Sequence, residues 1–319
     1  MRRLTTILAA AIIAAFSAVN VLAATVLVEA ENFDDLGGWV VDQQSIDQMG
    51  SAYLLAHGLG FGVKDAITKV KFPETGTYRI WVRTRDWVAV WNAGGAPGKF
   101  LVLINNKPID TIFGTEGAQW HWQDGGQVEI SEKEIQLGLH DLTGFEGRCD
   151  AIVFIKHLDF RPPNEGEPMA AFRRKFLGLP EKAKDAGKFD LVVVGGGMAG
   201  TCTAISGARL GLEVALIQNR PVLGGNNSSE VRVHLNGRIN LPPYPALGNI
   251  VKELDSGRQG NAKPASNYND KDKLRIVQSE KNIHLFLNMH AYKVEMHGNR
   301  IAAVIAKHIR NSEELRFEA

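Results

Sequence analysis

Hydrophobic positions follow two different rhythms along the chain and divide it into two parts. From Val26 to about Leu158, short runs alternate apolar and polar residues between glycine and turn signals. Examples are VLVEAENF, TYRIWVRTRDW, KFLVLINN with its Asn105-Asn106 turn, and AIVFIKHL. No stretch in this part keeps a helical period. The pattern predicts an all-β sandwich of jelly-roll type over residues 25–158. Residues 159–187 are rich in proline and charge (RPPNEGEP, then FRRKFLGLPEKAKDAGK) and read as a linker with one short helix around Met169 to Phe176. From residue 188 to 319 the order changes to strand, glycine turn, helix, strand, which predicts an α/β domain of Rossmann-like type.

Residues 1–24 carry two arginines, an apolar stretch and small residues at Ala23 and Ala24, the make-up of a cleaved secretory signal. An uncleaved membrane anchor is the alternative, but the apolar part is short for a span of roughly 20 residues. Arg2 and Arg3 are similar to the start of a twin-arginine signal, although the residues around them depart from that motif, so the export route stays open. The expectation is an exported protein, periplasmic or extracellular, with no stable membrane span once the signal is removed. The 36 basic and 35 acidic side chains leave a net charge of +1, which gives no electrostatic case for a nucleic-acid or acidic-lipid partner. Cys149 and Cys202 fall in different predicted domains and make no disulfide framework. The 33 glycines suit a turn-rich β domain and loops that lie close to a ligand.

The candidate chemistry begins at residues 189–217, FDLVVVGGGMAGTCTAISGARLGLEVALI. Leu191 to Val194 form an apolar run suited to a parallel strand buried on both faces. Gly195, Gly197 and Gly200 then supply Gly-x-Gly-x-x-Gly ahead of a helix. Gly195 permits the tight turn, Gly197 lets the backbone approach a pyrophosphate, and Gly200 lets the helix pack on the strand. The helix start offers amide donors and a partial positive charge to phosphate groups. Ala204 and Gly211 continue the pattern with small residues, and the second strand opens at Glu213. A glycine loop with a purely structural role is the competing reading.

On these residues the second part resembles the FAD-dependent oxidoreductases of the glutathione-reductase-like superfamily, in particular a group of exported bacterial flavoproteins. The resemblance runs from about Phe189 onward and is strongest in VVVGGGMAGTCTAISGARLGLEVALIQNRPVLGGNNSSEVRV. It implies FAD as cofactor, held by Gly195, Gly196, Gly197, Met198, Ala199 and Gly200, by Gln218, Asn219 and Arg220, and by Gly224, Gly225 and Asn226. The glycine pair favours flavin over a nicotinamide. In the family the second strand ends in a glutamate that accepts hydrogen bonds from ribose hydroxyls; Gln218 stands there instead, able to accept without the charge. Asn226 to Glu230, Arg232 and His234 form a polar run where the family places chain near flavin and substrate, and His234 is the candidate acid or base, with a solvated or structural histidine as the alternative. Further helix and strand signals follow over Lys273 to Glu280, Ile283 to Leu287, Tyr292 to Met296, Arg300 to Ala306 and Leu315 to Ala319. Similar flavoproteins continue into a further FAD-contacting segment and a substrate domain, so a shortened, incomplete flavin domain is expected here.

The first part is similar, more loosely, to jelly-roll carbohydrate-binding modules through VEAENF, GTYRIWVRTR and CDAIVF. That resemblance implies a structural Ca2+ ion at Glu29, Glu31 and Asp150, with carboxylates that hold no metal as the alternative. All six tryptophans lie in this part: Trp81 reads as core, whereas Trp87 and Trp91 read as candidates for stacking on sugar. The combined expectation is an exported FAD-dependent oxidoreductase acting on a small-molecule or carbohydrate substrate. A carbohydrate-binding or adhesion protein with a non-catalytic flavin remnant is the alternative, and a nicotinamide-dependent dehydrogenase is the third, disfavoured by Gly224 and Gly225.

Overall fold

The computed structural model describes residues 24–258 and 260–319, so the signal expected over residues 1–24 lies outside the described residues except for Ala24. The chain divides after Pro180 into two compact units. Among the described residues no helix is long and apolar enough to cross a membrane.

The first unit is built from antiparallel strands: β1 (Thr25–Glu29), β2 (Val40–Asp42), β3 (Tyr53–His57), β4 (Ala66–Lys71), β5 (Gly76–Thr84), β6 (Phe100–Ile104), β7 (Lys107–Phe113), β8 (His121–Ile130), β9 (Glu134–Asp141), β10 (Phe145–Cys149) and β11 (Ala151–Ile155). They form sheets in the orders β1-β11-β5-β8, β4-β9-β6-β7 and β10-β3-β2. Alternation decides which face is covered. In β4, Ala66, Thr68 and Val70 are buried while Lys69 and Lys71 face water. Inward residues of the two larger sheets meet in one core, Ile80, Val82, Ile152 and Phe154 from one and Val70, Phe100, Val102, Leu137 and Leu139 from the other. Asn105 and Asn106 both take positive φ, 49° and 63°, which gives the tight turn joining β6 to β7 its direction.

Two helices belong to this unit, α1 (Ile46–Met49) and α2 (Gly166–Phe176). In α2, Phe172 is buried and, with Phe176 and Phe160, packs against Leu27, Trp81 and Trp122. The stretch 159–187 expected as a linker is therefore divided: its first part docks on the β unit, and β12 (Lys184–Lys188) joins a sheet of the second unit. Met169, Phe172 and Phe176 make the helical apolar stripe of the short helix expected within that stretch.

In the second unit β13 (Leu191–Val194), α3 (Met198–Arg209) and β14 (Val214–Gln218) form a strand, helix, parallel strand unit, and β15 (Ile283–Leu287) extends the parallel sheet to the order β13-β14-β15. Helices α4 (Gly248–Leu254) and α5 (Asp270–Ser279) precede β15. A second sheet, β12-β18-β17-β16, is completed by β16 (Met289–His297), β17 (Arg300–His308) and β18 (Glu314–Glu318). Every residue of β14 is buried, because Ala204, Ile205 and Val277 cover one face and Phe189, Val304 and Phe317 the other. Two-sided cover is why this strand reads as a continuous apolar run.

Candidate functional site

The glycine turn leaves the end of β13 and enters α3 directly. Gly195 has φ of 101°, a value that a side chain would strain. A Cβ placed on Gly200 would stand 1.8 Å from the Gly195 carbonyl oxygen, so the helix passes the turn at a distance only glycine permits. At Gly195 and Gly197 the same construction meets no heavy atom within 4 Å. The turn is thus tight toward the helix and open on its other side. Gly197 is the N-cap residue of α3, and no side chain caps the helix start, which leaves its first-turn amides without a side-chain acceptor. Met198 and Gly200 are half-buried and Ala199 is exposed.

The glycine pair comes to the same place. Gly224 N donates to Gly196 O at 2.8 Å, Gly197 and Gly224 pair as an isolated parallel bridge, and a Cβ on Gly225 would lie 3.1 Å from Gly197 Cα. Gly224 and Gly225 take φ of 105° and 59°. Two glycine segments about thirty residues apart, which the sequence offered as separate contacts, are one backbone surface.

Gln218, at the end of β14, holds that surface together. Its Oε1 accepts the Gly196 N–H at 2.8 Å, and its Nε2 donates to Val222 O at 2.9 Å. The side chain is buried, so the amide expected to face a ribose hydroxyl bridges the two loops instead. A glutamate could accept from Gly196 but could not donate to Val222, which gives the neutral residue its own reason here. Asn219 is half-buried; Arg220 is exposed and pairs with Glu230 at 3.0 Å.

Behind Gly224 lies a residue whose role the sequence did not signal. Lys273 on α5 is fully buried, and its ammonium donates to the carbonyl oxygens of Asn227 and Tyr268. Asn227 N in turn donates to Gly224 O at 3.0 Å, and a Cβ on Gly224 would come within 3.1 Å of the lysine nitrogen. Burial pushes the Lys273 ammonium below its usual value, opposed by Asp270 and Asp255. Lys273 had been read only as the start of a helix, because a buried lysine looks like a surface one until its partners are known. Lys273→Met leaves both carbonyls short of a donor and should lower unfolding stability by about 2 kcal/mol, within the ~1–3 kcal/mol of an orphaned buried group. Urea unfolding measures this, and an unchanged midpoint would contradict the role.

In the polar run, Asn226 is exposed and its carbonyl accepts from Val233 N at 2.9 Å; Asn227 Nδ2 donates to Val233 O at 2.9 Å. His234 follows, half-buried, with Nδ1 2.7 Å from Asn261 Oδ1. The histidine therefore sits one residue from a segment tied to the glycine pair, with one ring nitrogen engaged.

In the first unit the structure brings Glu29, Glu31 and Asp150 together: one oxygen of each lies within 4.8 Å of the others, and all three are buried. Burial pushes the Glu31 carboxyl well up, and Glu29 and Asp150 push it the same way. Two guanidinium groups, from Arg83 and Arg173, share this interior. Trp39, Trp81, Trp120 and Trp122 are core residues, whereas Trp91 is 67% exposed and stands edge-to-face on half-buried Trp87. Cys149 and Cys202 are unbridged and lie in different units.

Residues 190–319 match the family model of FAD dependent oxidoreductases. The match falls wholly within the second unit. Among solved structures, an L-proline dehydrogenase from P. horikoshii is 21% identical, with 44% of this chain and 22% of that one covered and a TM-score of 0.27. A 3-ketosteroid-delta4-(5alpha)-dehydrogenase from Rhodococcus jostii RHA1 is 13% identical, covering 44% and 45% with a TM-score of 0.32. This chain thus spans less than half the length of either dehydrogenase. A family 35 carbohydrate binding module from Clostridium thermocellum is 14% identical, covering 41% of this chain and 96% of the module with a TM-score of 0.33. No curated protein matches the chain.

Proposed function

We propose that the second unit binds FAD across the joined glycine segments and that the protein is an exported FAD-dependent oxidoreductase. The observation that carries this reading is the shape of the turn: closed toward α3 at Gly200, open in front of Gly195 and Gly197, and leading into a helix start with no side-chain cap. The family match of residues 190–319 supports the same cofactor. In this reading the first-turn amides of α3 hold the diphosphate, Gly197 and Gly225 let it approach, and Gln218 and Lys273 keep the two loops in register. In the same reading Met198, Ala199, Asn219, Arg220 and Asn226 are the further residues that would contact the cofactor. Bound flavin would supply hydride transfer to or from a substrate carbon, while the protein provides binding and orientation. In this reading His234 is the candidate for holding or moving a proton.

The first unit is proposed to be a carbohydrate-binding module of jelly-roll type, so that the substrate is carbohydrate-related. Exposed Trp91 against Trp87 favours the second reading as well, a carbohydrate-binding or adhesion protein whose flavin domain is non-catalytic. Purification after incubation with FAD separates the two. A yellow protein that keeps flavin absorbance through gel filtration is the expected result, and a colourless one retarded in a polysaccharide gel would leave the second reading standing.

A further inference from the structure

The carboxylates of Glu29, Glu31 and Asp150 are the place where the loose resemblance to carbohydrate-binding modules implies a calcium ion, and the groups around them do not fit one. Asp150 Oδ2 accepts from Arg83 Nη1 at 2.8 Å and from Arg173 Nη2 at 2.5 Å. Asp150 Oδ1 accepts from Ser51 Oγ at 2.9 Å. Arg173 Nη2 also lies 3.5 Å from Glu29 Oε2, and its Nη1 donates to the same serine oxygen. Calcium takes about six to eight oxygen ligands. Here both oxygens of the aspartate are engaged by donors, and a guanidinium offers no acceptor to a metal. With all three carboxylates ionised, the two guanidinium groups leave the cluster one negative charge, and a divalent ion would turn that into a net positive charge beside two fixed cations.

We propose that Arg173 occupies the position of a metal ion: its guanidinium is the built-in counter-ion of the Glu29, Glu31 and Asp150 carboxylates, and the first unit folds without calcium. The arginine is delivered by packing. Its neighbour Phe172 is buried against Trp81, Trp122 and Leu27, with its ring 4.7 Å from that of Phe176, and this docking turns position 173 toward the carboxylates. Arg173 itself is buried to the same degree as its partners. The guanidinium thereby ties the helix to the opening strand and to the residue ahead of the last strand. The inference does not depend on flavin binding by the second unit.

The test uses the whole protein. Metal analysis of the purified protein should find no stoichiometric calcium, and thermal melting with EDTA or with millimolar calcium chloride should agree within about 1 °C, well under the several degrees that a specific bound ion contributes. One calcium per chain, or a clear fall in the melting temperature with EDTA, overturns the proposal. Arg173→Met removes the guanidinium and leaves the carboxylates facing one another, so calcium should now raise the melting temperature of the variant though not of the unaltered protein. A folded variant indifferent to calcium would also overturn it. If the variant does not fold with or without calcium, the measurements on the unaltered protein decide.

Discussion

Gly197→Val should abolish FAD retention while the second unit keeps its fold. A Cβ at this position meets no heavy atom within 4 Å and φ is −63°, so the first side-chain carbon is accepted without a clash or backbone strain. The branches of valine would extend into the space in front of the helix start, where the proposed site would receive the diphosphate. Losing two charge-assisted hydrogen bonds at ~1.5–3 kcal/mol each weakens binding by roughly 3–6 kcal/mol, on the order of a hundred- to ten-thousand-fold. Flavin fluorescence titration reads the loss, and circular dichroism with a melting curve shows that the fold survives. Gly200→Val is the contrasting variant, because its Cβ would press into the Gly195 carbonyl and the fold itself should suffer. Undiminished flavin retention in Gly197→Val would remove the proposed site.

Asp150→Asn should be the most damaging single change in the first unit. It withdraws the carboxylate that both Arg83 and Arg173 share, and all three side chains are at most 7% exposed. Breaking a buried pair by removing one partner costs about 3–5 kcal/mol, because the guanidinium groups cannot regain water. Much of the stability of a domain lies in such a figure. Denaturant unfolding of the protein should show the transition of the first unit at a much lower midpoint. A midpoint within the error of the unaltered protein would mean that the cluster contributes little.

Local pattern carried the strands and the glycine turn because each is a rule of neighbouring residues. The Asn105-Asn106 turn, the apolar run before Gly195 and the turn at Gly298 and Asn299 that pairs β16 with β17 depend on residues next to one another in sequence. What could not be read is what distant segments do to each other. Gln218 was legible as the end of a strand, but its bond to Gly196 is a contact across 22 positions. Lys273 and Arg173 are further cases: long charged side chains normally reach water, and their burial depends on carbonyls and carboxylates contributed from elsewhere in the fold. The α2 helix was legible around Met169 to Phe176, whereas its docking on the β unit depends on Leu27, Trp81 and Trp122, contributed from distant strands. The three carboxylates were legible as a set through resemblance, whereas the cations among them were not.

The amide at position 218 has one more consequence. A carboxylate there would take up a proton as surroundings turn acidic and weaken as an acceptor for Gly196, whereas an amide has no proton to gain in that range. The clasp between the two glycine segments is therefore indifferent to acidification, and whatever loosens it first must come from another group.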